Sequence, residues 1–472
     1  MKQQPLISIV IPVYNNAEYL GDAIRSVLHQ TYGNFELLIV NDASPDNAID
    51  VIKSFSDSRI RYIEHEVNKG LSAARNTGIR KSQGDFVALL DGDDYFHADK
   101  LYAHVNFLER HSDIDVTYNA RFELNHSSTT IRELWRPPKE VGLADFMLGY
   151  PFSPSDMIVR RDSLFRVGLF DESYTYYGED MDINCKLALA GYKFASVDRA
   201  LNFRRYHSMR RIKNLRSYQE DEFRPLYNTF ADKRFPNDLS HLKRTSLSNR
   251  YLGWAIFAFL QEDTALGQKY CSEAIRLNPS LLVGCHPVIA GEFIRFCILD
   301  DSRDHEELTR NLFRQLPDEL QAMAQQEEEW AITRGFLLKG IRAIIWNRLE
   351  EGREYFAQAT ARDAKMSTPL ATRISADLIS YEKEFGSDAT HRVIRKLAPF
   401  LEKIENPTGA RWSKGLHFVN RAFTSFYAGE YAKVPSRVIQ AVSIEPSYLG
   451  NLGVIKIFLL SLVRQIYGES PN

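Results

Sequence analysis

The sequence of 472 residues lacks the markers of several protein classes. Its four cysteines form no C-x-x-C pair and have no histidines at zinc-ligand spacing, which argues against a structural zinc site. The formal net charge is only −2, so no overall attraction to nucleic acid or to an anionic membrane is expected. Neither G-x-G-x-x-G nor G-x-x-x-x-G-K-[ST] occurs, so neither dinucleotide binding nor P-loop chemistry is predicted.

Long apolar runs are scarce as well. The N-terminal run from Ile7 to Val13 is too short for the apolar region of a signal peptide and is better interpreted as a first strand. The run from Leu452 to Val463 is too short to span a bilayer as a helix. We therefore predict a cytoplasmic protein with reduced cysteines, and the inner face of the membrane is the alternative location.

The first 200 residues or so alternate strand and helix patterns. Continuous apolar strands between amphipathic helices predict a mostly parallel sheet covered on both faces, as in Rossmann-like nucleotide-binding folds. The predicted strands are 7–13, 35–40, 60–63 and 86–90, and the predicted helices are 18–30, 48–55, 71–81 and 99–110. The length of the chain predicts two or three domains.

A run of acidic residues follows the strand predicted at 86–90. Asp91, Asp93 and Asp94 surround Gly92, and three neighbouring carboxylates repel one another unless a cation lies among them. Carboxylates at the carboxyl end of a strand are typical ligands of a divalent cation that also binds phosphate oxygens. A solvated turn is the alternative, because Asp and Gly are ordinary turn residues.

Polar residues recur at the ends of the other predicted strands. Tyr14 can pack against a nucleotide base, Asp42 can accept a hydrogen bond from a base N–H, and Arg75 can face a phosphate or a base carbonyl. The alternatives are that Asp42 caps the next helix and that Arg75 is a solvated helix residue. Their recurrence at one edge of the predicted sheet favours a nucleotide site.

These motifs, in this order, resemble the inverting family 2 glycosyltransferases with the GT-A fold. The similarity rests on ISIVIPVYNN and its continuation to residue 44, on NKGLSAARNTGI (68–79) and on GDFVALLDGDD (84–94). It covers about residues 5–115 and continues more weakly through 151–207. It implies a GT-A catalytic domain at 1–225 that transfers a sugar from a nucleoside-diphosphate donor, with a UDP-sugar favoured, in polysaccharide or glycan biosynthesis.

The resemblance also implies roles for individual positions. Nucleotide contacts fall on Pro12, Val13, Tyr14, Asn15, Asp42, Arg75, Asp91 and Gly92. Asp93 matches the direct metal ligand of the D-x-D motif, with Mn²⁺ or Mg²⁺ as the cofactor. Asp180 matches the catalytic base, and Glu179 beside it lies near the acceptor. The alternative for this pair is an acidic helix start favoured by the helix dipole, since a helix is predicted at 181–190.

Basic residues cluster between 201 and 216. In the resembling family a histidine here can complete the metal site or touch the diphosphate, which assigns His207 as a metal ligand. The arginines of this cluster could close over the phosphates as a flap; they are Arg204, Arg205, Arg210 and Arg211. A surface cation cluster or a contact to phospholipid or RNA backbone is the alternative. The Q-x-x-R-W motif of processive synthases is absent, which favours the addition of one or few sugars.

Helical patterns replace strand patterns from about residue 225. Three similar stretches predict tetratricopeptide-like helix–turn–helix repeats in a domain at 226–472, with an irregular bundle as the alternative. In each stretch one small residue precedes an alanine by the same interval; the pairs are Ala258 and Ala274, Ala343 and Ala359, and Ser425 and Ala441. Such a domain could bind a protein partner or a second copy of the chain.

Two classes of function remain open. The first is an active transferase that uses Asp93 and Asp180 and acts on a glycan, lipid-linked or protein acceptor. The second is a nucleotide-binding or inactive interaction protein with a helical scaffold. The intact acidic motifs favour the transferase. The sugar and the acceptor depend on loops around Trp135, Phe152 and Tyr176, which no motif fixes.

Overall fold

The computed structural model describes residues 4–125, 130–175, 177–206, 215–299, 303–404 and 407–467. Strands and helices alternate in its first part, as predicted. The strands are β1 (Ile7–Val13), β2 (Phe35–Asn41), β3 (Ile60–Glu64), β4 (Phe86–Leu89), β5 (Tyr95–Phe96), β6 (Val116–Leu124), β7 (Ile131–Trp135), β8 (Met157–Arg160) and β9 (Phe194–Arg205). The helices among them are α1 (Ala17–Leu28), α2 (Ala48–Lys53), α3 (Leu71–Lys81), α4 (Lys100–Arg110), α5 (Leu143–Leu148), α6 (Arg161–Arg166) and α7 (Glu179–Leu189).

The strands form one sheet in the order β3-β2-β1-β4-β8-β6-β9-β5, with β7 paired to β6. Its first four strands are parallel. Beyond β4 the pairing is mixed, because β8 runs antiparallel to β4 and β6 whereas β6 and β9 are parallel. The strands β2 and β3 are added on one side of β1, and β4 is added on its other side. This change of side is a topological switch point, where α/β folds bind ligands. The prediction of an α/β domain followed by helices is confirmed.

The sheet is covered on both faces, because alternate strand residues enter different apolar clusters. Ile9 and Ile11 of β1 belong to the cluster that includes α1 and α4 residues. Val10 belongs to the other cluster, with Ala74 of α3 and Met181 of α7. The helices α3 and α7 therefore lie on the same side of the sheet, and both begin at its carboxyl edge.

Helices without strands occupy the described residues after β9. They are α8 (Leu215–Ala231), α9 (Lys243–Leu260), α10 (Thr264–Leu277), α11 (Val288–Cys297), α12 (His305–Arg314), α13 (Gln321–Ile345), α14 (Leu349–Ala361), α15 (Thr368–Ile404), α16 (Pro407–Tyr427), α17 (Val434–Ile444) and α18 (Leu452–Tyr467). Contacts divide the chain into two compact units, one ending at Glu328 and one beginning at Glu329. The α8 helix crosses residue 225, and a functional boundary there stays a prediction.

The three predicted repeats are helical hairpins with the same turn. They are α9–α10, α13–α14 and α16–α17. In each turn an amide donates to the carbonyl five residues earlier; the pairs are Asp263 to Ala258 (3.0 Å), Arg348 to Ala343 (2.7 Å) and Glu430 to Ser425 (2.9 Å). The residue before each donor is left-handed, as in a Schellman motif: Glu262 (φ 65°), Asn347 (φ 63°) and Gly429 (φ 75°). The six small residues singled out in the sequence are all buried.

Two glycines let the first two hairpins close tightly. A Cβ on Gly267 would lie 2.4 Å from the ring of Phe259, and one on Gly352 would lie 2.6 Å from Cγ1 of Ile344. Both glycines therefore lie where the two helices of a hairpin cross, next to the small residue of the first helix.

Among the described residues no helix is long and apolar enough to cross a membrane.

Candidate active site

The acidic residues after β4 lie in a tight turn at the carboxyl edge of the parallel strands. The amide of Asp94 donates to the carbonyl of Asp91 (3.0 Å), and the amide of Asp91 donates to Oγ of Ser155 (3.1 Å). A Cβ on Gly92 would lie 2.3 Å from Nδ2 of Asn16. The turn therefore packs closely against the side chain of Asn16 in the segment that follows β1.

Three carboxylates are crowded in this turn. Burial, together with the charges of Asp93 and Asp91, raises the pKa of Asp94 well above its ordinary value. Oδ1 of Asp94 accepts a hydrogen bond from the backbone amide of Arg205 (3.1 Å). The side chain of Asp91 is 32% exposed. A cation at Asp91 and Asp93 would relieve this repulsion, and the donor set therefore fits a divalent cation with oxygen ligands.

The sequence predicts two protein ligands for the metal, Asp93 and His207. His207 lies outside the described residues. Within the described ranges, no group of three or more His, Cys, Asp and Glu residues is arranged to hold a metal ion. Mg²⁺ commonly takes one or two protein carboxylates and completes its shell with water and phosphate oxygens. Asp91 and Asp93 are the residues that could supply those carboxylates.

Arg75 of α3 joins the acidic turn to the start of α7. Its side chain is buried, with Nη2 2.8 Å from Oδ1 of Asp91 and Nη1 2.8 Å from Oε1 of Glu179. Its guanidinium also lies 5.4 Å from the ring of Phe170. The two carboxylates raise the pKa of Arg75 against the opposing effect of burial. The alternative of a solvated helix residue is wrong, and a direct contact of Arg75 with the nucleotide stays a prediction.

Glu179 and Asp180 form the first turn of α7, which begins two residues earlier than predicted. The preceding Gly178 is left-handed (φ 92°), and a Cβ there would lie 2.5 Å from the carbonyl oxygen of Asp221 on α8. Burial and the charge of Asp180 raise the pKa of Glu179 to about 7, although Arg75 opposes the effect. Burial also raises the pKa of Asp180. Glu179 can therefore take up or release a proton near neutral pH.

Three residues near the start of α7 were not identified as functional from the sequence; they are Tyr150, Glu222 and Arg250. The hydroxyl of Tyr150 donates to Oε2 of Glu222 (2.8 Å), and Nε of Arg250 lies 3.2 Å from Oε1 of the same carboxylate. Burial raises the pKa of Glu222 to about 7, while Arg250 and Tyr150 oppose the rise. One feature of the sequence could have indicated Glu222: it lies four residues before Leu226, on the same face of α8, and Leu226 is buried.

Asp42 follows β2 and is buried, with both carboxylate oxygens in use. Oδ1 accepts from the amide of Lys69 (2.8 Å) and lies 2.6 Å from Nδ1 of His65, and Oδ2 accepts from the amide of Gly70 (2.8 Å). Nε2 of His65 lies 2.9 Å from the hydroxyl of Thr77. Asp42 thus holds the segment before α3 and does not cap α2, whose N-cap is Asn47. A contact between Asp42 and a base stays a prediction.

The segment after β1 offers an exposed ring beside these groups. Pro12 and Val13 are buried at the end of β1, whereas Tyr14 is 51% exposed. Asn15 is left-handed (φ 54°), and its amide donates to Oγ of Ser44 after β2 (2.7 Å). The ends of β1 and β2 are thereby locked together, with the Tyr14 ring available for a flat ligand.

The basic cluster is only partly described. Arg205 is buried, and its Nη1 donates to the carbonyl of Asp93 (2.8 Å), which fixes the acidic turn from behind. The Arg204 side chain is 45% exposed, with Nη1 3.7 Å from Oε1 of Glu123. Arg210 and Arg211 lie outside the described residues, so the flap stays a prediction.

The three aromatic residues expected near the acceptor differ in position. Trp135 is 36% exposed, and its Nε1 donates to the carbonyl of Pro151 (3.0 Å). Phe152 is buried and stacks on Tyr118 with ring centroids 4.5 Å apart, so it supports the core instead of lining an open loop. Tyr176 lies outside the described residues.

Several known proteins are similar to part of this chain. An uncharacterized glycosyltransferase of Haemophilus influenzae is 34% identical over 163 residues, which are 34% of this chain and 64% of that protein. UDP-Glc:alpha-D-GlcNAc-diphosphoundecaprenol beta-1,3-glucosyltransferase WfgD of Escherichia coli is 37% identical over 134 residues, 28% of this chain and 52% of that protein. The chain thus spans 64% and 52% of the length of these two relatives. A crystal structure of S. aureus TarS with UDP aligns at a TM-score of 0.38 and 18% identity over 58% of this chain and 89% of that one.

The family model described as glycosyl transferase family 2 matches residues 8–168. This range contains β1, β2, α3 and the acidic turn, whose geometry is given above. It ends before α7, so Glu179, Asp180 and the residues behind them lie beyond it. Residues 8–168 of this chain are thus similar to glycosyl transferase family 2.

Proposed function

We propose that the chain is an inverting glycosyltransferase that moves a sugar from a nucleoside-diphosphate donor to an acceptor hydroxyl. The observation that carries the proposal is Arg75, which binds Asp91 in the acidic turn and Glu179 beside Asp180. Arg75 thereby joins Asp91, which we assign to the donor side, to Glu179, which we assign to the acceptor side. A single displacement needs such an arrangement, because base and leaving group act on opposite sides of one anomeric carbon.

Asp180 is the proposed general base. Its carboxylate takes the proton of the acceptor hydroxyl as that oxygen bonds to the anomeric carbon and the bond to the diphosphate breaks. Burial, which raises its pKa, makes the carboxylate a stronger proton acceptor than an exposed aspartate. Oδ1 accepts from the amide of Met181 (2.7 Å), which fixes the orientation of the group. Glu179, held by Arg75, is placed to orient the acceptor.

Asp93, with Asp91, is proposed to hold Mn²⁺ or Mg²⁺. When bound, such an ion would neutralise the charge that develops on the departing diphosphate. Asp91 has a second task, because its Oδ1 also anchors Arg75. Asp42 and Tyr14 are proposed to contact the base, with Tyr14 offering the exposed ring. His207 is proposed as a further metal ligand.

The relatives suggest the class of donor and acceptor. WfgD is named for a UDP-Glc donor and a sugar diphosphate on a polyprenol. We therefore propose a UDP-sugar donor for this chain and transfer of one or few sugars. A hydroxyl of a lipid-linked sugar is the first acceptor class to test, followed by free glycans and proteins.

The decisive experiment compares Asp180→Asn with Glu179→Gln. Asp180→Asn is nearly isosteric but cannot accept the proton, so we expect transfer to fall by about 10²–10⁴-fold, the usual cost of losing a general base. UDP affinity should stay native and serves as the folding control. Glu179→Gln should mainly weaken acceptor binding. Native transfer by Asp180→Asn would place the base elsewhere, and loss of UDP binding would assign Asp180 to the structure or the metal shell.

A further inference from the structure

A buried carboxylate that the proposed mechanism does not use lies behind the proposed base. Glu222 on α8 is 5% exposed and carries two specific partners, the hydroxyl of Tyr150 at 2.8 Å and Nε of Arg250 at 3.2 Å. An ionisable group is expensive to bury, and replacing such a group by an apolar residue is often neutral or stabilising. Stability alone therefore gives no reason for a glutamate at this position.

The residue after Asp180 is attached to one partner of Glu222. Nη2 of Arg250 lies 3.2 Å from Sδ of Met181 and 3.5 Å from the carbonyl of Phe146. The guanidinium that faces Glu222 thus also contacts the first turn of α7.

The residues before Asp180 are attached to the same region. The backbone of Gly178 lies against the carbonyl of Asp221, the neighbour of Glu222, so closely that a Cβ would be 2.5 Å away. The ring of Tyr177 meets that of Tyr150 edge to face, with centroids 6.0 Å apart. Contacts from Glu222 or its immediate partners therefore reach the chain on both sides of Asp180.

We propose that Glu222 is a positioning residue for Asp180, which holds the start of α7 in place through Tyr150 and Arg250 and sets the charge around the base. The inference rests on the proposed function of Asp180. It extends the active site to α8 and α9, which lie beyond the residues that define the family match.

The charges around Asp180 agree with this role. The titratable and charged groups that interact with it are Glu179 and Cys185 on α7, Tyr177 before α7, Tyr150 before β8, Arg75 on α3, Asp91 after β4 and Glu222 on α8. Burial is the main cause of the raised pKa of Asp180, Arg75 opposes it, and the charges of Glu222 and Asp91 add to it. Where the pH is high enough for Glu222 to be ionised, a neutral residue at position 222 should therefore lower the pKa of Asp180.

The experiment measures the pH dependence of transfer for the full chain with UDP-sugar donor and Mn²⁺. In Glu222→Gln the ascending limb of the pH–rate profile should move to lower pH. Glu222→Asp keeps the charge and should return the limb towards its native position. The matched control is Glu220→Gln, which makes the same chemical change on the exposed side of α8 and should leave the profile unchanged.

Two outcomes would overturn the inference. One is an unchanged limb in Glu222→Gln, and the other is an equal movement in Glu220→Gln. If Glu222→Gln does not fold, Tyr150→Phe replaces it: the carboxylate loses its donor, ionises less readily, and the limb should move in the same direction by less. An unmoved limb there also overturns the inference. Full transfer by Asp180→Asn would instead refute the proposed function, so the two failures are distinct.

Discussion

Nη1 of Arg75 donates to Oε1 of Glu179 at 2.8 Å, although 104 residues separate them in the sequence. The same guanidinium donates from Nη2 to Asp91, only 16 residues away. The buried guanidinium of Arg75 thus compensates the charges of two carboxylates, one proposed to act on the donor and the other on the acceptor. Removal of the guanidinium would leave the largely buried Glu179 without compensation, where an unpaired charge is costly, and would take away a partner of Asp91.

Arg75→Ala should lower the free energy of unfolding by about 3–5 kcal/mol, the usual effect of breaking a buried ion pair. Transfer should fall as well, because Asp91 and Glu179 lose their common anchor. Urea unfolding followed by circular dichroism measures the first effect. Arg80→Ala is the control, because Arg80 lies on the same helix as Arg75 but forms an exposed ion pair with Glu172. Such a pair should contribute about 1 kcal/mol or less. Equal losses in the two variants would contradict the role of Arg75.

Gly178→Ala should displace the start of α7. The left-handed backbone (φ 92°) alone should cost about 1–2 kcal/mol, and the clash with the carbonyl of Asp221 should add about 1–3 kcal/mol. Gly191→Ala isolates the first contribution, because Gly191 is also left-handed (φ 81°) but has nothing within 4 Å of a new Cβ. We expect only Gly178→Ala to reduce transfer beyond its effect on stability, and similar transfer by the two variants would show that α8 does not set the position of Asp180.

Asp93→Asn should weaken UDP binding in the presence of Mn²⁺ and change it little in the presence of a chelator. The carboxylate of Asp93 is the proposed direct ligand, and the amide is a poorer ligand for a hard cation. Isothermal titration of UDP with and without the metal measures both affinities. Asp99→Asn is a control at an exposed carboxylate that pairs with Arg199. Identical UDP affinities of the native protein with metal and with chelator would refute the metal site.

The stability of the protein should depend on pH through Glu222. The pKa of this group is about 7 in the folded chain and near its ordinary value of 4.5 in the unfolded one. A raised pKa stabilises the fold most fully below the unfolded value, and this contribution is lost as the pH rises through about 7. At about 1.4 kcal/mol per pKa unit, the native protein should lose up to roughly 3 kcal/mol between pH 4 and 8 that Glu222→Gln does not lose.

Unfolding midpoints at pH 5 and pH 8 test this difference. The gap in stability between Glu222→Gln and the native protein should move in favour of the variant at the higher pH. Glu220→Gln, at an exposed position, should follow the native protein throughout. A gap that does not change with pH would mean that Glu222 titrates alike in the folded and unfolded chains.

Local patterns were sufficient to predict much of the fold. The sequence places β1 and α3 at their observed bounds, because a β-branched run and a helical period are local properties. It also predicts that acidic residues follow β4, since the change from apolar to acidic residues is visible without a structure. The three hairpins follow from one repeated interval between small residues, although their glycine contacts do not.

The side-chain contacts within the site could not be predicted in the same way. Arg75 reads as one more basic helix residue until the sheet brings Asp91 and Glu179 to it. Asp42 is joined to His65 and to the amides before α3, which no spacing rule indicates. Glu222 depends on how α8 packs on Gly178. Side-chain pairing between distant segments is decided by tertiary packing, and a single sequence contains no direct record of it.

The two bonds of Arg75 also bear on the order in which the chain folds. Each hairpin turn closes over five residues, so helices of this kind can form before distant segments meet. The bond from Arg75 to Glu179 closes a loop of 104 residues and has to wait for the long-range pairing of the sheet. We therefore expect a folding intermediate that is rich in helix yet holds no assembled active centre, so that helical content would return before transfer activity during refolding.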